Sequence, residues 1–476
     1  MEWLEGQDPI FLGASVVLTL AVIWLISYLP IPSPTRLEWP ADAAEKAATL
    51  DYPQYNVRGC ACPITALHTI PKKVVVTGGS GFVGRHLVSA LVQAGCDVTV
   101  FDLRSTTFDE PSVKMLDQVT TAFKGAEVVF HVASPDPLSR NKAVFELVNI
   151  NGTRNVVDAC LANGVPRLIF TSSASVIYDG SNQSGVDETL PYPATFRDDY
   201  CRTKAEAERI IMEAGPASGG KLVTVSVRPH GIFGPRDPAL VPRLTANAKA
   251  GRTKVAIGST DNIVDFTYVG NVVHGHMRAA EAAVKGSPAN GKTYFITNDD
   301  PLPFWEFMSR VCLGLGYQAP TLRLPYGFML AVSYIVDGIL ASLNAVLGTK
   351  LAITFTPSVV QIAGTHHWYS CEAAKRDLKY EPVWDMYSAL LVTLRSFQHL
   401  AAPGAKPLPE FKTFTAAEVA EHNSLQDLWV IIDGDVYDLT EYVDQHPGKD
   451  AIGNNAGGDA SEGFHGEQHP DHVVDT

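Results

Sequence analysis

Tyr200 and Lys204, in the string DYCRTK, stand four residues apart, which sets them on one face if the segment is helical. A phenol with its ordinary pKa of about 10 is a weak base at neutral pH. An ammonium group and the positive ring of an oxidised nicotinamide would both stabilise the phenolate, so the pair suits removal of an alcohol proton. Upstream, LIFTSSASV places Ser172 and Ser173 at the end of an apolar run, where a hydroxyl can hold the oxygen of a substrate. Y-x-x-x-K recurs by chance in many helices, and its weight here comes from a second constellation ahead of it. In TGGSGFVG, Gly78, Gly81 and Gly84 have the spacing G-x-x-G-x-x-G. The first two glycines let the backbone turn and approach a pyrophosphate, whose charge sits at a helix N-terminus, and the last allows close helix–strand packing. Asp102, 18 residues after Gly84, ends the next apolar run, where a carboxylate accepts bonds from both ribose hydroxyls. Its charge favours NAD over a 2′-phosphorylated cofactor, and Arg104 two residues on leaves NADP as the alternative.

These groups need a rigid frame. KKVVVTGG reads as a buried strand, FVGRHLVSALVQAG as an amphipathic helix ended by Gly95, and DVTVFD as a second strand. Strand and helix patterns recur at AEVVFHVAS, VNINGTRNVVDACLANG, RLIFTSSASVIY and LVTVSVRP, the rhythm of an α/β Rossmann fold with a doubly wound parallel sheet. After Pro301 the rhythm loosens into what we expect to be a small substrate lobe.

The ends of the chain read differently. No charge falls between Asp8 and Arg36, and residues 10–29 are long and apolar enough to cross about 30 Å of hydrocarbon as a transmembrane helix. No basic segment precedes the run and no small-residue cleavage site follows it, which favours an anchor over a signal peptide. Glu2, Glu5 and Asp8 before it, with Arg36 and Lys46 after it, place the bulk of the chain in the cytosol. Proline-rich residues 30–71 form a linker, residues 72–395 the catalytic body, and residues 396–410 a second linker to a last unit, 411–476. A second apolar stretch, residues 325–348, carries Asp337, Gly327 and Gly338. It reads as a membrane-surface helix or a lipid-facing pocket wall more readily than as a second span.

Composition agrees with this division. Of the 476 residues only 18% are charged while 46% are hydrophobic, consistent with membrane contact or a large apolar pocket. A net charge of −14 argues against a nucleic-acid partner. Seven cysteines, without a C-x-x-C pair, indicate neither a disulfide framework nor a zinc site, and a reducing compartment fits best.

TGGSGFVG, VFHVASP, VNINGT, TSSASVIY, DYCRTK, VRPHGIFGP, FTYVGNVVHGHMRAAE and CEAAKRDLKYEP together resemble the extended short-chain dehydrogenases, in their 3β-hydroxysteroid dehydrogenase branch. TSSASV and the segment around YVGNVVHGH are most similar to members that oxidise and decarboxylate 4α-carboxysterols. The resemblance implies Tyr200 as base, Lys204 as its electrostatic partner, and Ser173, with Ser172 as neighbouring candidate, as hydroxyl donor. It implies a cofactor site built from Gly78, Gly81, Phe82, Val83, Gly84, Asp102, Ala133, Ser134, Asn149, Tyr200 and Lys204, with Pro229 to Ile232 lining the nicotinamide pocket. A structural role at a helix start is an equal reading for Asn149. Only 24 residues lead from Asp102 to Ala126, so the third strand, which in the family ends in an acidic residue near the adenine, is expected to be shortened or absent. Arg197, Arg202 and Arg236 are candidates to bind a substrate carboxylate, with solvated surface charge as the plainer reading. The implied activity is oxidation of a 3β-hydroxyl with decarboxylation in sterol synthesis. The alternatives are a 3β-hydroxy-Δ5-steroid dehydrogenase/isomerase, or an inactive dehydrogenase-like electron-carrier scaffold.

The C-terminal string WVIIDGDVYDLTEYVDQHPGK, followed by NNAGGDASEGFHGEQHP, resembles cytochrome b5. There the likeness implies haem b held by His446 and His469, 23 residues apart, with His465 a rival for the second place. Lys449 replaces a family glycine, and the unit reads as truncated at Thr476, before that family's last helix and strand. Expected surroundings are the endoplasmic reticulum membrane with both catalytic units facing the cytosol, a sterol substrate, and a sterol methyl oxidase as electron acceptor. The oligomeric state is left open, a homodimer being one option.

Overall fold

The structure, a computed structural model, describes residues 71–103, 114–116, 122–137, 139, 141–258, 261–348, 355–406, 408, 416–432, 435–440, 443, 453–460 and 463. The apolar run 10–29, the first linker, His446, His465 and His469 lie outside the described residues.

The chain opens with β1 (Lys73–Thr77), α1 (Phe82–Gln93) and β2 (Asp97–Phe101), the expected βαβ unit. Then come β3 (Lys114–Leu116), β4 (Val128–His131), α2 (Gly152–Asn163), β5 (Arg167–Thr171), β6 (Gln183–Val186), α3 (Asp199–Ala217) and β7 (Val223–Pro229). The second half holds β8 (Val255–Ile257), β9 (Ile263–Val264), α4 (Val269–Ala282), β10 (Lys292–Ile296), β11 (Leu302–Pro303), α5 (Phe304–Gly314), β12 (Leu322–Leu324), α6 (Tyr326–Leu347), α7 (Pro357–Gly364), β13 (His367–Tyr369) and α8 (Met386–Ser396).

Seven strands form one parallel sheet in the order β10-β7-β5-β4-β1-β2-β3. β1 shows why the sequence does this. Val74 and Val76 pack beneath α1 and α4, while Val75 faces the opposite layer with Val156 and Val157 of α2 and Ile211 of α3. A strand buried on both sides needs apolar residues at consecutive positions, which is what VVV supplies. Strand order reverses between β1 and β4, so a crevice opens at their carboxyl ends, where sheets of this kind take ligands. The third strand is present but three residues long, and Asp117 follows it directly in the sequence.

The smaller lobe rests on a four-stranded sheet, β11-β9-β13-β6, and on the pair β12-β8. Its core stacks Phe233, Phe266, Phe307 and Trp384 with Leu390 and Leu394 of α8. α6 is one unbroken helix of 22 residues despite Gly327 and Gly338, and among the described residues it is the one helix long and apolar enough to cross a membrane. Only Met329, Ser333 and Val336 are buried, a single stripe at i, i+4 and i+7, and Met329 packs with Val360 and Ala363 of α7. Phe328, Tyr334, Ile335, Val346 and Leu347 remain exposed. In the C-terminal unit, β14 (Asn423–Ser424), β15 (Asp427–Ile432) and β16 (Asp435–Asp438) form an antiparallel sheet, with Trp429 opposite Asp438.

Candidate active site

The glycine turn joins β1 to α1 at the crevice. Gly78 sits at φ +71°, and a Cβ there would meet the backbone of Ala133 at 2.6 Å. At Gly84 a Cβ would meet the Gly78 carbonyl oxygen at 2.1 Å, so the helix can approach the strand only with glycine at both places. Gly81 caps α1 without a side-chain hydrogen bond, which leaves the first-turn N–H groups, those of Phe82 and Val83 among them, directed out of the helix end. Asp102 follows β2, and its Oδ2 accepts from the Ser80 N–H at 2.9 Å, placing the carboxylate beside the turn. A cradle without β-carbons, an open helix N-terminus and an adjacent carboxylate fit a dinucleotide.

Across the crevice, β4 leads into Ala133 and Ser134. Ser134 Oγ donates to Asn149 Oδ1 at 3.2 Å, and Asn149 Nδ2 donates to Thr203 Oγ1 at 3.0 Å. Asn149 is 1% exposed and lies in a π-helical turn, Glu146–Asn151, that leads into α2. It therefore ties the cofactor-side loop to the helix carrying Tyr200 and Lys204, and the helix-start reading alone does not describe it. Such turns widen a helix by one residue and recur at functional sites.

Helix α3 is capped by Asp198, whose side chain accepts from the Cys201 N–H at 2.8 Å. Tyr200, in its first turn, packs edge-on to Phe145 at 5.9 Å. Burial pushes its phenol above the usual value and Cys201 adds to the rise, while a hydrogen bond from Ser173 and the charge of Arg197 act in the other direction. Ser173 is in turn within 2.8 Å of Ser175 Oγ. Ser172 is 3% exposed and lies on the side of Glu208.

The Lys204 ammonium donates to the carbonyl oxygen of Thr171 and lies 4.2 Å above the Phe170 ring. Burial lowers its pKa to about 7, partly offset by Glu208 one turn further on. Glu208 itself is locked in a buried pair with Arg228, at 2.6 Å, and accepts from Tyr192 and Ser226.

Pro229 ends β7, and the loop after it, including Ile232, is pinned to the segment before α4. His230 Nδ1 donates to Asp265 O at 2.8 Å, Thr267 N donates to His230 O at 3.1 Å, and Gly231 sits at φ +53° because a Cβ would meet Asp265 O at 2.6 Å. Sequence reasoning placed His230 within the Pro229–Ile232 pocket segment but missed Asp265, His367 and Tyr369, which cluster around it. Burial lowers His230 to about 4 and His367 to about 3, and it raises Asp265 to about 8. Spacing could not have found them, because they come from separate segments. No cluster suited to a metal ion occurs among the described residues, and the five described cysteines are buried and free.

A switch-point crevice with a glycine cradle, an acidic ribose position and a Tyr–Ser pair defines an oxidoreductase of the nicotinamide-dependent Rossmann class. A solved structure titled as a UDP-glucuronic acid 4-epimerase from Bacillus cereus in complex with NAD shares this fold, with a TM-score of 0.52, 18% identity, and coverage of 69% of this chain and 99% of that one. Residues 75–326 match the 3-beta hydroxysteroid dehydrogenase/isomerase family, and the chain belongs to it. Residues 415–475 match the Cytochrome b5-like Heme/Steroid binding domain. Among relatives, the sterol-4-alpha-carboxylate 3-dehydrogenase, decarboxylating, of Mus musculus is 43% identical, over 69% of this chain and 92% of that protein. The 3beta-hydroxysteroid-dehydrogenase/decarboxylase isoform 1 of Arabidopsis thaliana is 40% identical, over 69% of this chain and 80% of that protein. The cofactors are thus a nicotinamide dinucleotide for the catalytic body and haem for the C-terminal unit.

Proposed function

We propose that this chain oxidises the 3β-hydroxyl of a 4α-carboxysterol to the 3-ketone and releases the carboxyl group as carbon dioxide. The observation that carries the reading is the half-buried Tyr200 phenol, whose pKa Ser173 lowers, in a chain 43% identical to the named mouse decarboxylating dehydrogenase. Tyr200, acting as the phenolate that a bound oxidised nicotinamide and the nearby ammonium would stabilise, takes the hydroxyl proton and becomes the phenol as the C3 hydrogen leaves with its electron pair. Bound NAD supplies the hydride acceptor. Ser173 holds the substrate oxygen, and Asn149 and Lys204 keep the cofactor-side loop and the β5 end in register with α3. The product is a β-keto acid, in which the C4–carboxyl bond can break with its electron pair entering the C3–C4 enolate. Tyr200 and Ser173 then stabilise the enolate oxygen until C4 takes up a proton, which completes the 3-ketone.

The reading extends to the surroundings. Residues 10–29 anchor the chain, and the exposed face of α6 rests on the same bilayer, that of the endoplasmic reticulum, with the catalytic body in the cytosol. His446 and His469 would hold a haem, which would supply electron transfer toward a neighbouring sterol methyl oxidase. Membranes carrying the full chain, given NAD and a carboxyl-labelled 4α-carboxysterol, should release labelled carbon dioxide and form the 3-ketone in step with NADH. Binding of NAD without either product removes this substrate.

A further inference from the structure

If Tyr200 grips the C3 oxygen, a carboxylate on the adjacent carbon must lie in the space bordering that phenol. It is an anion entering a half-buried site, so a cation has to meet it there. Most cations near the crevice are already committed. Arg228 is sealed against Glu208, with 4% and 0% of the two side chains exposed. Lys204 turns to Thr171 and is itself buried. Arg202 pairs with Glu146 and Asp199 on the outer side of α3. His230 and His367 each give one ring nitrogen to a backbone carbonyl, Asp265 O and Ile362 O, both at 2.8 Å. As neutral rings they have only a lone pair left to offer.

Arg197 differs. Its side chain is 13% exposed and its guanidinium lies 5.4 Å above the Tyr178 ring. Nε donates to Asp198 Oδ2 at 3.0 Å, and Nη2 lies 3.0 Å from the same oxygen and 3.6 Å from Cys201 Sγ, whereas Nη1 makes no hydrogen bond among the described residues. Asp198 divides its charge between this contact and the N-terminus of α3. Its charge acts on Tyr200, His230, His367 and Tyr369, side chains from three separate parts of the fold, and the His230 ring packs 4.8 Å from that of His367 and 5.4 Å from that of Tyr369.

We infer that Arg197 is the carboxylate anchor, its guanidinium edge holding the C4 carboxyl group three residues along the chain from the residue that holds the C3 oxygen. This rests on the substrate reading above. The anchor acts in binding and selectivity: it draws carboxylated sterols into register and leaves uncarboxylated ones without a partner for a half-buried charge.

The test compares kcat/KM for a 4α-carboxysterol and for the same sterol without the carboxyl group, using the full chain in detergent, with NAD titration confirming that each variant is folded. Arg197→Gln should reduce the preference for the carboxylated substrate on the order of 100-fold, chiefly through KM. Arg197→Lys, which keeps the charge, should retain part of the preference, and Arg202→Gln should retain all of it. A folded Arg197→Gln protein as selective as the parent overturns the anchor alone. A parent chain that oxidises neither sterol overturns the substrate reading and the anchor with it.

Discussion

At the scale of single residues, Tyr200 and Lys204 share a helix face, as their spacing requires, and the lysine ammonium ends at the Thr171 carbonyl. Four-residue spacing reports which face a side chain leaves from and not where a long, flexible chain ends. Asp265 shows a second limit: nothing local marks it as buried, and it becomes so because β13 folds over it and Tyr369 N–H donates to it at 2.7 Å. Its carboxyl, raised to about 8 by burial, holds in the native state a proton that the unfolded chain releases near pH 4. The native state thus binds more protons between those values, and stability should fall with rising pH through that window by up to about 1.4 kcal/mol per pH unit. Thermal unfolding of Asp265→Asn at pH 6 and pH 8 should show a smaller drop than the parent chain. An equally steep drop would assign the pH dependence elsewhere.

Among elements, the parallel sheet was legible because each central strand is a run of consecutive apolar residues followed by an amphipathic helix. The strands of the second sheet were not, since β9 and β11 have two residues each and exist only through long-range pairing. The short third strand was anticipated from the length of chain available, while the π-helical turn at Asn149 leaves no periodic signature. Glycine positions in the turn were readable with their reason attached. Gly84→Ala would set a methyl group 2.1 Å from the Gly78 carbonyl oxygen and force α1 away from β1. NADH affinity, followed by fluorescence titration, should weaken at least about tenfold, with a loss of roughly 1–3 kcal/mol in stability. Unchanged affinity would mean that the cradle is not where the pyrophosphate rests.

The whole molecule combines a buried-sheet enzyme, an apolar helix lying mostly outside the core, and a small C-terminal sheet. α6 stayed ambiguous in the sequence because Asp337 and two glycines weaken both a span and a core helix. In the structure the glycines are exposed and unbroken helix continues through them, with only one narrow stripe packed. Its outward apolar face should hold the body against a bilayer independently of residues 10–29. A chain lacking residues 1–36 should still float with phospholipid vesicles, and Ile335→Glu with Leu347→Glu should move most of it to the soluble fraction. If the double variant floats as before, α6 does not rest on lipid.

If Tyr200, as the phenolate, takes the proton of the sterol hydroxyl, steady-state NADH formation from a 4α-carboxysterol by Tyr200→Phe in the full chain is the direct test. Its kcat should fall about 10²–10⁴-fold with NAD affinity kept within a few-fold. Turnover close to that of the parent chain would contradict it.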